Sequence, residues 1–261
     1  MKKVNDIIKV MEKIAPPYLK EDFDNVGLMV GDRDKCVKRV LLALDCTLKV
    51  IEEAKEKNID LIITHHPLIF RKPNNITTDT LQGKKIIELI KNDISLYSSH
   101  TNLDSVEEGL NHTIVSILGF ENSKILEKNK REESAGLGRI VELQNTINLE
   151  ELIKKVKNDL KINNLRVVKG NDSVSKISII NGSGQDFISK AVRLGVDTVI
   201  TGDTTYHFAS DYKEMGINIL DVGHFGSEQL IFFNVMKKLK EKFIDVEFIT
   251  SNVEEDPFIF Y

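Results

Sequence analysis

Six histidines occur in the chain, and four of them fall into two patterns: the doublet His65-His66, and two His-x-x-x-acid units, His100 with Asp104 and His224 with Glu228. Imidazole nitrogen and carboxylate oxygen, with no cysteine nearby, suit zinc, iron, manganese, cobalt or nickel better than an iron-sulfur cluster. Neighbouring residues of a strand point to opposite faces, so a strand-borne His65-His66 pair diverges and serves two ions more readily than one. A dinuclear centre uses imidazoles as terminal ligands and carboxylates as bridges between ions about 3.5 to 4 Å apart, which makes Asp104 and Glu228 the bridging candidates. The expectation is two divalent transition-metal ions per chain. Plainer readings stand beside it: Asp104 with Glu107 fits a helix-capping box, His224 could cap the last helix, and His65-His66 before Pro67 could be an ordinary strand terminus.

These residues need a frame, and the sequence supplies one by alternation. Val4, Ile7, Ile8, Met11 and Ile14 have helical spacing, and Pro16-Pro17 end that helix. VLLALD is an unbroken apolar run of the kind a parallel sheet buries on both faces. After it come a helix at TLKVIEEAKEKN, a strand at DLIITHH, a helix at LQGKKIIELIKN, a strand at ISLYSSH, and one helix through DSVEEGLNHTIVSILG closed by Gly119. Residues 121–174 break the rhythm and read as a small α/β bridging segment. The alternation then resumes with KISIING, a helix at DFISKAVRLG, DTVITGD, a helix near FASDYKEMG, INILDVGH and a long final helix. In an open α/β layer, ligands bind at the carboxyl ends of strands, where His65, His66, His100, Asp104, Asp203, His207, His224 and Glu228 all fall.

The two alternating runs also match each other. Without a gap, Asp60 lies over Asp197 and Thr64 over Thr201, and farther on, past a longer loop in the first half, His100 with Asp104 matches His224 with Glu228. The expected architecture is α/β, with two pseudo-repeated βαβ-type halves, 1–120 and 175–261, joined by the segment 121–174.

Composition narrows the function. With 36 basic and 40 acidic residues the net charge is −4, without the basic excess that general nucleic-acid coating requires. No apolar stretch approaches the roughly 20 residues of a membrane span, and Asp6 and Lys9 stand where a leader would be apolar, so a cytoplasmic location is expected. Cys36 and Cys46 are too few for a disulfide framework. GSGQD after KISIIN lacks a P-loop lysine and reads as a turn, and no GxSxG is present to support acyl-enzyme chemistry.

In order along the chain, DNVGLMVGD, LLALDCT, DLIITHHPLIF, YSSHTNLDSVEEGLN, GLGRI, NGSGQDFISKAVRLGVDTVITGD, YHFAS and DVGHFGSEQL resemble the Nif-three-like dinuclear-metal family, whose members are also called GTP cyclohydrolase I type 2 homologues. The resemblance spans nearly the whole chain, in a short form without the regulatory-protein-PII-like insertion of longer members. It implies a two-part α/β fold, a toroidal homohexamer, and a dinuclear site whose ligands fall on His65, His66, Asp104, His224 and Glu228. It also implies metal-dependent hydrolytic opening of the imidazole ring of GTP; on physical grounds a two-metal centre would generate hydroxide near neutral pH, with His100 or His207 as the catalytic residue that shuttles protons. Two other readings stay open: a metal-dependent phosphoesterase, and a non-catalytic metal-binding scaffold or regulatory protein, with nucleic acid among its possible partners.

Overall fold

VLLAL is apolar at every position, and LIIT at all but the buried Thr64, because each becomes an inner strand of a parallel sheet. In the computed structural model, which describes residues 1–261, the chain divides into two units. The first comprises Met1–Val106 and Phe232–Glu255, and the second comprises Glu107–Ile231 and Asp256–Tyr261.

The first unit opens with β1 (Lys2–Lys3) and α1 (Val4–Ile14), whose buried stripe is Val4, Ile7, Ile8 and Met11. Then come β2 (Gly27–Val30), β3 (Cys36–Val37), β4 (Arg39–Ala43), α2 (Leu48–Glu56), β5 (Leu61–Thr64), α3 (Leu81–Lys91), β6 (Ser95–Ser98) and α4 (Thr101–Ser105). Its sheet runs β13-β4-β5-β6-β2, where β13 (Glu247–Thr250) is the last strand of the chain and only β2 is antiparallel to its neighbour. Leu41, Ile62 and Leu96 of the sheet pack with Val50, Ile51 and Ala54 of α2 and with Ile86 and Leu89 of α3. Burying a set of side chains this size contributes about 1.5–3 kcal/mol for each large one.

The second unit holds α5 (Leu110–Ile117), β7 (Lys124–Lys128), β8 (Gly136–Asn148), α6 (Leu149–Asp159), β9 (Arg166–Val168), β10 (Ser173–Ser183), α7 (Gln185–Arg193), β11 (Thr198–Gly202), α8 (Tyr206–Glu214) and β12 (Asn218–Asp221). α9 (His224–Lys240) begins in it. The sheet order is β7-β8-β10-β11-β12-β9, parallel only across β10, β11 and β12. Residues 121–174 thus contribute three strands to the same sheet as the residues that follow them. No helix of the chain is long and apolar enough to cross a membrane.

Three sequence expectations change. The single helix through residues 104–119 is two, because Val106 takes an extended conformation after α4 and Gly109 caps α5 anew. The N-cap of α4 is His100, which puts Asp104 inside the helix and removes its capping role. The local bonds of the two alternating runs do recur: Asp60 Oδ2 accepts from the amides of Lys38 and Arg39 at 2.7 and 3.0 Å, and Asp197 Oδ2 from those of Ser175 and Lys176 at 2.9 and 3.0 Å. In the third strands, however, Leu61 pairs with Ser95 and Thr198 with Asn218. Counting on from that register, His100 corresponds to Gly223, one position short of His224.

Candidate metal centre

β5 ends at Thr64, and the chain bends at once. The Thr64 hydroxyl donates to the carbonyl of His66 at 2.8 Å, and the His66 amide donates to the carbonyl of Leu44 at 3.0 Å. The pleat therefore stops before the doublet, and the expected divergence of His65 and His66 does not occur: their ring centroids are 5.1 Å apart. His100, at the exit of β6, lies 5.2 Å from the His65 ring and 5.6 Å from that of His66. Candidate ligand nitrogens of the three imidazoles all fall within 4.8 Å of one another.

Each ring is oriented from behind. Nδ1 of His65 lies 2.9 Å from the Ser99 carbonyl, that of His66 3.0 Å from Asp45, and that of His100 2.9 Å from Asp24. A carbonyl or an ionised carboxylate only accepts, so Nδ1 carries the proton and the lone pair sits on Nε2, the arrangement found behind metal-binding histidines. Nε2 of His65 lies 3.6 Å from Oδ1 of Asp104, and both residues are buried.

The orienting acids are themselves fixed. Asp24 is buried and accepts from the Thr101 amide at 3.0 Å, from the Thr101 hydroxyl, and from His100. Burial pushes its carboxyl up, but the His100 bond and charge and the Thr101 bonds outweigh that and hold it down at about 2. Asp45 follows β4, and its amide, with that of Leu44, donates to the Glu254 carboxylate at 2.7 to 2.9 Å. Burial raises the Glu254 pKa, partly countered by those amides.

In the second unit, His224 opens α9 with Nδ1 2.6 Å from Asp203 and Nε2 3.1 Å from Oε2 of Glu228, one turn along. With the Nδ1 hydrogen donated in a hydrogen bond to Asp203, the Nε2 lone pair faces a carboxylate. A cation resolves that opposition, either a second proton or a metal ion, so the donor set fits a metal. Glu228 is buried and takes the Asn181 amide at 2.8 Å on Oε1. Asp203 reaches His224 from the left-handed region at φ 57°, a conformation that aspartate tolerates better than most residues. A cavity of about 710 Å³ opens beside His224, with Asp203, Arg166, Phe225, Phe258 and Phe260 in its wall.

Gly182 makes room for this pair. A Cβ there would lie 2.4 Å from Oε1 of Glu228 and 3.4 Å from the His224 ring, at a φ of +58°. Gly182→Ala should lower stability by about 2 kcal/mol in urea titrations and weaken metal affinity about 10- to 100-fold by displacing Glu228. Unchanged affinity in a competition titration would remove Glu228 from the ligands.

The structure thus gathers His65, His66, His100 and Asp104 in one unit, and His224 with Glu228 in the other. His207 stands apart, exposed on α8 with its ring 5.4 Å from that of Tyr206. Asp24, Asp45 and Asn181 were not singled out from the sequence. Asp45 follows a strand and Asn181 lies near the end of one, so the strand-end rule could have found them; Asp24 sits in a loop with no such marker.

Residues 2–257 match the model of the Duf34/NIF3 (NGG1p interacting factor 3) family. The chain belongs to that family. A Clostridium perfringens relative named GTP cyclohydrolase 1 type 2 homolog is 58% identical over 99% of each chain. A Bacillus cereus protein related to NIF3 shares the fold with a TM-score of 0.91 at 28% identity, covering 100% of this chain and 99% of that one. A Halalkalibacterium halodurans relative aligns over 364 residues at 28% identity, covering 97% of this chain and 98% of its own. That span exceeds the 261 residues here, so this NIF3-family chain lacks a segment that relative carries.

Proposed function

We propose that this NIF3-family protein is a dinuclear, metal-dependent hydrolase of the GTP cyclohydrolase I type 2 kind, acting on a nucleotide. The observation that carries the reading is the common orientation of His65, His66, His100 and His224, each with Nδ1 held by an oxygen so that the lone pair lies on Nε2. The donors are His65, His66 and Asp104 of the first unit and His224 and Glu228 of the second, serving two ions. Divalent transition-metal ions supply Lewis acidity and a nucleophile active near neutral pH. Ser99, Asp45 and Asp203 fix the ligand rings, and Asn181 fixes Glu228. His100, its Nδ1 proton held by Asp24, accepts and returns a proton at Nε2. The nucleotide class is supported by the name of the curated relatives.

The test is a panel of nucleotides and phosphoesters offered to protein loaded in turn with zinc, manganese, iron, cobalt or nickel, with Asp104→Asn as the blank. About two ions per chain by elemental analysis, with a nucleotide consumed by the loaded protein and untouched by the blank, is the expected result. Consumption that survives in the blank would mark a contaminant, and a single ion at saturating metal would end the dinuclear reading. Turnover confined to phosphoesters would make the protein a phosphoesterase. Two ions without turnover would leave it a metal carrier.

A further inference from the structure

Two large aromatic side chains stand in water at the edge of the three-imidazole cluster: Phe23 is 66% exposed and Phe70 41%. They touch each other edge to face, with centroids 6.2 Å apart and planes at 63°, and the Phe70 ring lies 6.3 Å from that of His100 at 83°. Apolar rings packed together on a surface bury less area than they would in a core, and a contiguous exposed pair at a polar site marks a place that something covers.

The backbone beneath both rings is tied to the cluster. Phe23 precedes Asp24, the acid that holds His100 and Thr101. Phe70 follows Ile69, whose carbonyl takes the Asn25 side-chain amide at 2.6 Å, so the two loops are bonded to each other. The amide of Glu21 also donates to the Thr101 hydroxyl at 2.9 Å. The backbone that carries the rings is therefore held before any ligand arrives, which lowers the entropy cost of ordering the loops on binding. Arg71 and Lys72, both exposed, follow Phe70 directly and place positive charge on the same loop.

We propose that Phe23 and Phe70 form a stacking platform for the planar base of a nucleotide beside His100, with Arg71 and Lys72 serving its phosphates. The inference rests on the hydrolase reading above and adds to it the residues that recognise the base. One ring offers a face for stacking and the other an edge that closes the side. A second copy of the chain is a poorer occupant, because a stable protein contact takes about 800 Å² from each partner and two rings supply a small part of that.

The experiment measures binding by rapid filtration of the metal-loaded full chain mixed with GTP and, separately, with inorganic tripolyphosphate, read before the nucleotide is consumed. It compares the wild type, Phe23→Ala/Phe70→Ala and Phe23→Tyr/Phe70→Tyr, with metal content measured on each. Base–aromatic stacking contributes about 1–3 kcal/mol per base, so the double alanine variant should bind GTP about 10- to 100-fold more weakly. Its metal content and tripolyphosphate affinity should match the wild type, and the tyrosine variant should recover GTP binding. Equal weakening of GTP and tripolyphosphate, or GTP affinity that does not move, would overturn the platform. In the latter case a change in sedimentation would show the rings to be a contact between copies. A wild type that holds metal and tripolyphosphate but not GTP would overturn it as well, leaving the metal centre standing; a chain that holds no metal would instead be the failure of the hydrolase reading.

Discussion

Stripping the metal-loaded protein with a chelator should lower its thermal midpoint by about 10 °C, and returning a divalent transition metal should restore it. A ligand that binds only the folded state stabilises it by about 4 kcal/mol when present at about 1,000 times its dissociation constant. In a chain of this size each kcal/mol moves the midpoint by about 2–4 °C. The donor groups give the physical cause. Asp104 and His65 are buried with a carboxylate oxygen and an imidazole nitrogen 3.6 Å apart, and Glu228 faces His224 at 3.1 Å. A cation between such acceptors converts a desolvated opposition into an attraction. Calorimetry of the two preparations at pH 7 makes the comparison. Lowering the pH should shrink the difference, since protons compete with the metal for the same donor atoms. A midpoint indifferent to chelation would show that these groups satisfy one another without metal.

His100→Ala should leave the metal content unchanged and cut nucleotide hydrolysis by about 10² to 10⁴-fold, the range that general acid-base catalysis contributes. The ring belongs to the cluster by position, 5.2 Å from His65, and its Nδ1 is committed to Asp24, which leaves Nε2 as the atom that can take a proton. Asp24 makes that commitment firm, because a carboxyl held at about 2 stays ionised throughout the neutral range. Metal analysis beside the rate measurement separates the outcomes. Loss of an ion from the alanine variant would make His100 a ligand, and an unchanged rate would pass the proton transfer to His207. The second assignment would be costly to defend, since His207 is exposed on α8 and packs on Tyr206.

What the sequence disclosed and what it hid have physical reasons. α1, β4, β5 and β6 were legible because burial demands a periodicity, and Val4, Ile7, Ile8 and Met11, or the unbroken VLLAL, carry it openly. The break between α4 and α5 was not, because Leu103, Leu110 and Ile114 keep apolar character across it while the interruption depends on one extended residue, Val106. The doublet misled for a related reason. Strand geometry applied one residue too far sends His65 and His66 apart, whereas the bend after Thr64 brings them together. The ligand types were visible as residue types, but their orienting partners were not, since Asp24 and Asn181 meet His100 and Glu228 from 76 and 47 positions away along the chain.

The partner of β4 on its outer edge is β13, which the chain reaches only at Glu247, and the carboxylate that pins Asp45 comes later still, at Glu254. During synthesis, then, the amino-terminal unit cannot finish itself when its first 106 residues have emerged. It waits with an open strand edge, the feature that invites mispairing, while most of the second unit, continuous from Glu107 to Ile231, is already on hand to fold. The amino-terminal unit is thus completed only by residues made after nearly all of the second, and the acid that orients His66 gains its Glu254 anchor only when the chain is almost fully synthesised.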